Sequence, residues 1–419
     1  MVEKPFEWAD GATLEEHSKR KHKILREYFS RYLSVRCQLP QQERFRLAIV
    51  EGFAGGGRYK CGAPGSPLIF VEELKAFINE ANVRRASEGM KALQMECLLI
   101  LNDANKDAIE LLKANLAPAL VDAKETATQL HIRVIYYNHP FETAYILIKD
   151  ALRLGRYRNV LFNLDQCGHS HVERATLVDM VRTYQGAEIF YTFAIKSLIT
   201  YLRAADPTAF ASQLARQNLT ETDLKSLEGT MSKQTWLGAA EKLVFNAFRS
   251  CADYVSPFSI NNPDGWRYWL IHFANSYRAR QEYNDILHAN STIQAHYGRS
   301  GLNMLSYDPT HEKGTLYLFD LSGRDAAREQ LMEDIPRVVS EFGDAIPVGG
   351  FYESIYNATP AHMDDIHAAI MENGDLEVTT ENGGHRRKAN TIAVGDILRL
   401  KNQRTLFPMF PRVAKPRGT

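Results

Sequence analysis

The feature that most constrains the fold is a regular alternation of apolar, strand-like runs with segments of helical periodicity. The runs lie at 46–53, 95–103, 131–138, 159–165 and 187–194, and the helical segments at 66–82, 105–116, 141–154 and 171–184. Continuous apolar strands separated by helices are typical of a parallel sheet that is covered on both faces. The alternation therefore predicts an α/β protein with a doubly wound, Rossmann-like sheet, and such sheets bind ligands at the carboxyl ends of their strands.

The remainder of the chain is expected to complete this sheet and to add further units. The strand pattern resumes at 268–276 and 314–322, which gives a mostly parallel sheet of about seven strands. Helical segments and then two strands around the turn "NGG" (382–384) predict a C-terminal winged-helix-like domain, in which Thr359 would cap a helix that begins at Pro360. The predicted units are an N-terminal helical extension (1–40), a Rossmann-like domain (41–205 and 262–322), a helical insertion (206–261), the winged-helix-like domain (323–405) and a basic tail (406–419).

Composition excludes several classes of protein. Fifty basic residues balance fifty acidic residues, so a partner recognised by charge must be recognised by a local patch. The five cysteines include no C-x-x-C pair, which argues against a zinc ribbon and a disulfide framework; they are Cys37, Cys61, Cys97, Cys167 and Cys251. The charged N-terminus lacks a signal-peptide core, and no apolar run could span a bilayer, so we expect a cytoplasmic protein without a membrane partner.

The segment 13–35 combines helical spacing of apolar residues with many basic ones. Ile24, Leu25 and Tyr28 begin an apolar stripe, and Thr13 lies three residues before Glu16, as in a capping box. The sequence predicts one long amphipathic helix. Its basic stretch "HSKRKHKILR" is either a surface that contacts phosphates or a solvated helix face.

A glycine-rich loop follows the first predicted strand, in "EGFAGGGRYKCG" (51–62). Such a loop lets backbone N–H groups approach a ligand, while Glu51 accepts a hydrogen bond. Asp103, at the end of the second strand, occupies the position where a carboxylate holds ribose hydroxyls. Neither G-x-G-x-x-G nor G-x-x-x-x-G-K-[ST] is present, which argues against NAD and ATP. The alternative to a cofactor site is a flexible surface turn.

Several stretches together resemble a known family. They are Trp8, "HSKRKHKILREY" (17–28), "VEGFAGGGRYKCGAPGSPL" (50–68), "NLDQCGHSHV" (163–172) and "YWLIHFANSYRARQEYNDILHAN" (268–290). These resemble the three-Cys-motif partner protein family (TcmP), whose members look like class I S-adenosylmethionine-dependent methyltransferases. The resemblance implies a methyltransferase-type sheet and S-adenosylmethionine as cofactor. It also implies a radical-S-adenosylmethionine-like three-Cys protein as partner, and a link to phage-related defence.

The resemblance also implies roles for individual residues. Those for cofactor binding are Glu51, Gly52, Phe53, Gly55 and Gly57 on the methionine and ribose side, Asp103 at the ribose and Asn138 at the adenine. Asp165 would lie near the methyl group as a catalytic residue. The family's Asp-Pro-x-Gly is Asp165-Gln166-Cys167-Gly168 here, so the proline is lost. No N-P-P-Y or D-P-P-Y motif is present.

Two further constellations surround Asp165. Cys167 could be a nucleophile activated by His169 or His171, and the alternative is a buried, unreactive cysteine. His169, His171 and Glu173 alternate as metal ligands can, and the alternative is that they are ordinary loop residues.

Positive charge concentrates at the C-terminus, where His385–Thr419 contains nine Lys and Arg residues against the single acid Asp396. Arg386, Arg387 and Lys388 are the candidate contacts to a nucleic-acid backbone. Asp364 and Asp365, on the predicted recognition helix, would oppose phosphates, so a protein-docking role remains the alternative. The sequence thus leaves two hypotheses: a methyltransferase that acts on or with nucleic acid, and a non-catalytic binding partner.

Overall fold

The computed structural model describes residues 12–166, 172–194, 246–260, 268–291, 294–298, 301–302, 315–317 and 320–401. The helices are α1 (Glu16–Arg36), α2 (Ser66–Ser87), α3 (Lys106–Thr126), α4 (Phe141–Leu154), α5 (Arg174–Thr183), α6 (Tyr277–Ala289), α7 (Leu321–Glu341), α8 (Val348–Ile355) and α9 (Met363–Glu372). The strands are β1 (Arg44–Glu51), β2 (Gln94–Asn102), β3 (Leu130–Tyr137), β4 (Asn159–Leu164), β5 (Gly186–Ala194), β6 (Tyr254–Ile260), β7 (Tyr268–Ala274), β8 (Gln294–Gly298), β9 (Thr315–Tyr317), β10 (Ala345–Pro347), β11 (Leu376–Thr379) and β12 (Ile397–Leu400).

The larger sheet has the order β3-β2-β1-β4-β5-β7-β6-β8-β9 within the described residues. Strands β3, β2, β1, β4 and β5 are parallel to one another. The pairings from β5 to β7 and onward to β9 are antiparallel. The expected α/β class and the parallel first half of the sheet are therefore confirmed.

The second half of the sheet differs from the prediction. Strand β6 lies at 254–260, inside the segment 206–261 that was predicted to be helical without strands, and β8 was not predicted at all. Antiparallel strands can be short and can alternate polar with apolar residues, so they carry a weaker sequence signal than buried parallel ones. Residues 206–245 of the predicted insertion lie outside the described part.

Crossover connections place the helices on two faces of the parallel strands. Moving from β1 to β2 to β3, the chain proceeds in one direction along the sheet, and from β3 through β4 to β5 it proceeds in the other. Because such crossovers are right-handed, α2 and α3 cover one face, and α4 and α5 cover the other. Helix α1 packs against α2 and α6. The direction changes between β1 and β4, so their carboxyl ends form the switch point at which doubly wound sheets bind ligands.

Helix termini depart from the sequence signals. Helix α1 begins at Glu16 with Glu15 as N-cap and no side-chain capping bond, so the capping box predicted from Thr13 is not formed. Helix α3 extends to Thr126, well past the predicted end at 116, and contains Pro118. In α4 the predicted and observed bounds agree at 141–154.

The C-terminal elements build a second hydrophobic core. Helices α7, α8 and α9 pack around a three-stranded antiparallel sheet of order β10-β12-β11. Helix α9 begins at Met363, and the His362 side chain caps it by accepting from the backbone N–H of Asp364. No helix begins at Pro360, so the prediction that Thr359 caps one is wrong; the Thr359 hydroxyl donates to the Gly301 carbonyl and accepts from the Ala361 N–H.

The predicted turn at 382–384 is present, but the strand after it begins later than expected. The Thr380 N–H donates to the Gly384 carbonyl over 2.7 Å, and Gly383 has a φ of 79°. Strand β12, the partner of β11, begins only at Ile397. We call residues 380–396, which connect these strands, the wing segment.

A buried polar interface joins the C-terminal elements to the large sheet through α6. The Arg280 guanidinium donates to the carbonyls of Tyr356 and Thr359. The Asn284 amide donates to the carbonyls of Thr359 (3.1 Å) and Ala361 (3.3 Å). Among the described residues, no helix is long and apolar enough to cross a membrane.

Candidate functional site

The glycine loop that follows β1 is tied to both neighbouring strands. The Gly52 N–H donates to the Asn163 carbonyl at 3.0 Å, and the Ala54 N–H donates to the Asn102 carbonyl at 2.8 Å. The Asn102 side chain donates back to the Gly52 carbonyl. The loop is therefore a fixed structure at the switch point, which argues against the alternative of a flexible turn.

Two of its glycines are required by internal packing. A Cβ on Gly52 would lie 2.8 Å from side-chain atoms of both Leu164 and Phe141. Gly57 has a φ of 79°, and a Cβ there would lie 2.8 Å from Leu112. Because side chains of this protein approach these positions, Gly52 and Gly57 have a structural explanation that involves no ligand.

Asp103 organises the loop from the end of β2. Its Oδ2 accepts from the Gly55 N–H (2.9 Å), and its Oδ1 accepts from the Asn105 N–H (2.8 Å). Burial raises the pKa of Asp103, although these two bonds act to lower it. Each carboxylate oxygen has a second lone pair, so Asp103 can still accept from ribose hydroxyls.

Asn138 follows β3 and is exposed at the same carboxyl edge of the sheet. Its amide nitrogen donates to the Asp103 carbonyl at 2.8 Å, which directs its oxygen away from that contact. The oxygen can accept a hydrogen bond, as the adenine role requires. Asp103 and Asn138 are therefore in contact after the ends of β2 and β3, and Glu51 ends the adjacent strand β1.

The Glu51 side chain is completely buried. The Asn163 amide lies 3.1 Å from each of its oxygens. Burial raises the pKa of Glu51 to about 8, against the lowering effect of hydrogen bonds from Ser66 and Asn163, and the negative charge of Asp165 raises it further. Glu51 is therefore a mostly protonated carboxylic acid at neutral pH in the free protein.

Asp165, directly after β4, is bound by a lysine from the N-terminal helix. The Lys21 ammonium donates to its Oδ1. Burial alone would raise the pKa of Asp165, but the charge and hydrogen bond of Lys21, together with a hydrogen bond from Thr192, hold it below its usual value. A cavity of about 10 Å³ adjoins the pair, and Lys21, His22, Leu25, Asn163, Asp165, Thr192 and Leu270 line it.

Sequence reasoning did not predict that Lys21 contacts Asp165 or that Asn163 contacts Glu51. It treated "HSKRKHKILR" as a surface, whereas Lys21 within it is buried and paired with Asp165. The only sequence signal was that Lys21 shares a helix with the apolar residues Ile24, Leu25 and Tyr28 and can therefore face inward. Asn163 begins the stretch "NLDQCGHSHV" (163–172), but its contact with Glu51 depends on the pairing of β1 with β4.

The loop after β4 is described only to Gln166. The Gln166 amide donates to the Thr192 carbonyl at 3.3 Å, so Gln166 ties the end of β4 to β5. Cys167, His169 and His171 lie outside the described residues. The hypotheses of a cysteine nucleophile and of a metal site, which rest on these residues, therefore stay predictions. Within the described part, no group of three His, Cys, Asp or Glu side chains could hold a metal ion.

The wing segment carries less free positive charge than the sequence suggested. Arg386 forms a two-bond ion pair with Asp396, with distances of 2.8 and 3.0 Å. Arg387 and Lys388 are exposed, and neither makes an ion pair with a described residue. The candidate nucleic-acid contacts therefore reduce to these two side chains.

One objection to nucleic-acid binding does not hold. Asp365 is buried, and the guanidinium of Arg324 (2.7 Å, twice) and that of Arg328 (2.8 Å) bind its carboxylate. It faces α7, so the expectation that it would oppose phosphates is wrong. Asp364 is exposed, as expected.

Comparisons with known proteins add no assignment: no protein-family model matches this chain, and no curated protein matches it.

Proposed function

We propose that this protein binds S-adenosylmethionine at the switch point of its sheet and transfers the methyl group to nucleic acid. The observation that carries the proposal is the convergence of Glu51, Asp103, Asn138 and Asp165 at the carboxyl ends of four adjacent strands, around a fixed glycine loop. A carboxylate that follows β2 is the group that holds ribose hydroxyls in nucleotide-binding sheets.

The sheet favours a methyltransferase over a dinucleotide-binding enzyme. In the dinucleotide-binding order 3-2-1-4-5-6, the strands of both halves run parallel. Here the antiparallel strand β7 separates β5 from β6. Together with the absence of G-x-G-x-x-G, this supports the methyltransferase resemblance.

The C-terminal elements support nucleic acid as the partner. Three helices and a small antiparallel sheet in the order α7-β10-α8-α9-β11-β12 are compatible with a winged-helix domain. The wing segment presents Arg387 and Lys388 to solvent. Exposed basic side chains contact phosphates without reading base sequence.

In this mechanism the chain's own residues bind and orient the two substrates. Asp103 would accept from the ribose hydroxyls, and the Asn138 oxygen would accept from the adenine amino group. Transfer of a methyl group from a sulfonium needs in-line alignment of donor and acceptor, so positioning supplies much of the rate. Asp165, which follows β4, would orient the acceptor.

The internal packing of Gly52 and Gly57 favours a second candidate, a non-catalytic binding protein that retains the fold. Glycines that are needed for packing would be kept whether or not a cofactor binds.

Isothermal titration of the purified chain with S-adenosylmethionine tests the proposal. We expect saturable binding that Asp103→Asn weakens about tenfold or more, because a charged acceptor for the ribose is lost. Asp107→Asn, on the exposed first turn of α3, is the matched control and should bind as the wild type does. A folded wild-type protein that shows no heat of binding refutes the proposal and favours the second candidate.

A further inference from the structure

Helix α1 directs one lysine into the carboxyl edge of the sheet. The side chains of Lys19 and Lys23 are each 54% exposed, whereas that of Lys21 is 9% exposed. The Lys21 ammonium reaches Asp165, which lies 144 positions later in the chain. Burying a lysine in this way costs hydration energy, so the ion pair must offset that cost locally.

Lys21 also limits access to Asp165. The Asp165 side chain is 27% exposed, and the adjoining cavity of about 10 Å³ has room for about one water molecule. The Lys21 side chain forms part of the wall of this cavity. A group larger than water can therefore contact Asp165 from this side only if Lys21 moves away.

If Lys21 moved away from Asp165, the charges around the cavity would favour another cation in its place. Burial lowers the pKa of His22 to about 4, so this neighbour is neutral at pH 7. Thr192 contributes an uncharged hydroxyl, and Glu51 on the adjacent strand is mostly protonated, so neither residue supplies a positive charge. Without the Lys21 ammonium, Asp165 would be a partly buried carboxylate with no positive charge among the described residues that line the cavity, and such a site favours a cation.

We propose that Asp165 is a cation-binding subsite that Lys21 fills in the free protein and that the positively charged group of a ligand takes over from Lys21. The ligand class is an organic cation, a sulfonium or an ammonium. The identification of this ligand as S-adenosylmethionine rests on the proposed function, but the existence of the subsite does not.

Replacement of the missing lysine by a small amine tests the subsite directly. The melting temperature of Lys21→Ala should rise by about 2 °C in tens of millimolar n-butylammonium chloride, relative to sodium chloride at equal ionic strength. The wild type, Lys23→Ala and the double variant Lys21→Ala/Asp165→Asn should show no such rise. If the double variant responds as Lys21→Ala does, or if neither responds, the subsite is refuted.

A second measurement identifies the ligand and uses Lys21→Met, which keeps most of the side-chain volume. S-adenosylmethionine carries a positive sulfur, whereas the sulfur of S-adenosylhomocysteine is neutral. We expect Lys21→Met to raise the affinity for S-adenosylmethionine about tenfold and that for S-adenosylhomocysteine much less, because Lys21 no longer competes.

The outcomes separate the two proposals. Equal changes for both ligands refute the assignment of the subsite to the sulfonium. If neither ligand binds any variant while n-butylammonium still stabilises Lys21→Ala, the proposed cofactor is wrong and the cation subsite stands.

Discussion

At the residue scale, the carboxyl group of Glu51 combines complete burial with only polar, uncharged hydrogen-bond partners. Neither Asn163 nor Ser66 carries a charge that could hold the carboxylate ionised, and Asp165 carries a charge of the same sign. Burial therefore dominates and favours the protonated form. The unfolded chain has no such constraint, so this one group makes the free energy of unfolding depend on pH.

Glu51→Gln should remove that dependence. The pKa of Glu51 is about 8 in the folded protein, against the ordinary glutamic acid value of 4.5 for the unfolded chain, so between these values the folded state retains a proton that the unfolded state has lost. The protonated acid makes its whole contribution to the free energy of unfolding below pH 4.5, and this contribution is lost as the pH rises toward 8. A shift of one pKa unit corresponds to about 1.36 kcal/mol. Between pH 5 and 7.5 the free energy of unfolding of the wild type should therefore fall by about 3 kcal/mol more than that of Glu51→Gln.

Urea denaturation at a series of pH values measures this difference. Glu125→Gln, near the end of α3 and exposed, serves as the control and should follow the wild type. Parallel pH curves for wild type and Glu51→Gln would show that Glu51 is ionised in the folded protein.

At the element scale, the wing segment is the part of the C-terminal module best placed to contact a nucleic acid. Its base is fixed by the ion pair of Arg386 with Asp396 and by the bond from the Arg386 N–H to the Val378 carbonyl. The neighbouring Arg387 and Lys388 remain exposed. The segment thus uses one basic residue for its own structure and presents two to solvent.

The double variant Arg387→Ala/Lys388→Ala should weaken binding to a short DNA or RNA duplex. Each lost phosphate contact should reduce the slope of log affinity against log salt concentration by about 1, or about 2 for the pair. Fluorescence anisotropy at several salt concentrations measures the slope. Arg84→Ala/Lys124→Ala removes two exposed charges elsewhere and should leave the slope unchanged; equal slopes for all three proteins would favour protein docking.

At the scale of the whole molecule, the buried polar face of α6 couples the two hydrophobic cores. Asn284 is completely buried and donates to two carbonyls of the C-terminal module, Thr359 and Ala361. Removing its amide would leave the buried Ala361 carbonyl without this donor, whereas the Thr359 carbonyl would keep the bond from Arg280; a buried acceptor is costly to leave unsatisfied. The two units are thus expected to unfold together.

Asn284→Ala should lower the free energy of unfolding by about 2 kcal/mol while the protein retains a single transition. Urea denaturation followed by circular dichroism and by intrinsic fluorescence gives both quantities. The control is Glu329→Ala, exposed on α7, which should change the stability little. Two separate transitions in the wild type would contradict coupling between the units.

The sequence by itself determined the parallel strands and the helices between them. Strands β1, β2 and β4 consist largely of apolar residues because both faces of the sheet are covered, and that pattern is visible without a structure. The positions of Glu51, Asp103 and Asp165 follow from the same pattern, since each lies where a strand ends. Strand β6 was missed because antiparallel pairing depends on partners elsewhere in the chain.

Only the tertiary structure decided what these side chains contact. The pairing of β1 with β4 brings Asn163 to Glu51, and the packing of α1 brings Lys21 to Asp165 across 144 positions. It also turns Asp365 toward Arg324 and Arg328. Hydrophobic periodicity predicts which residues are buried. The partner of a buried polar residue depends on contacts between distant segments, and these cannot be predicted from the local sequence.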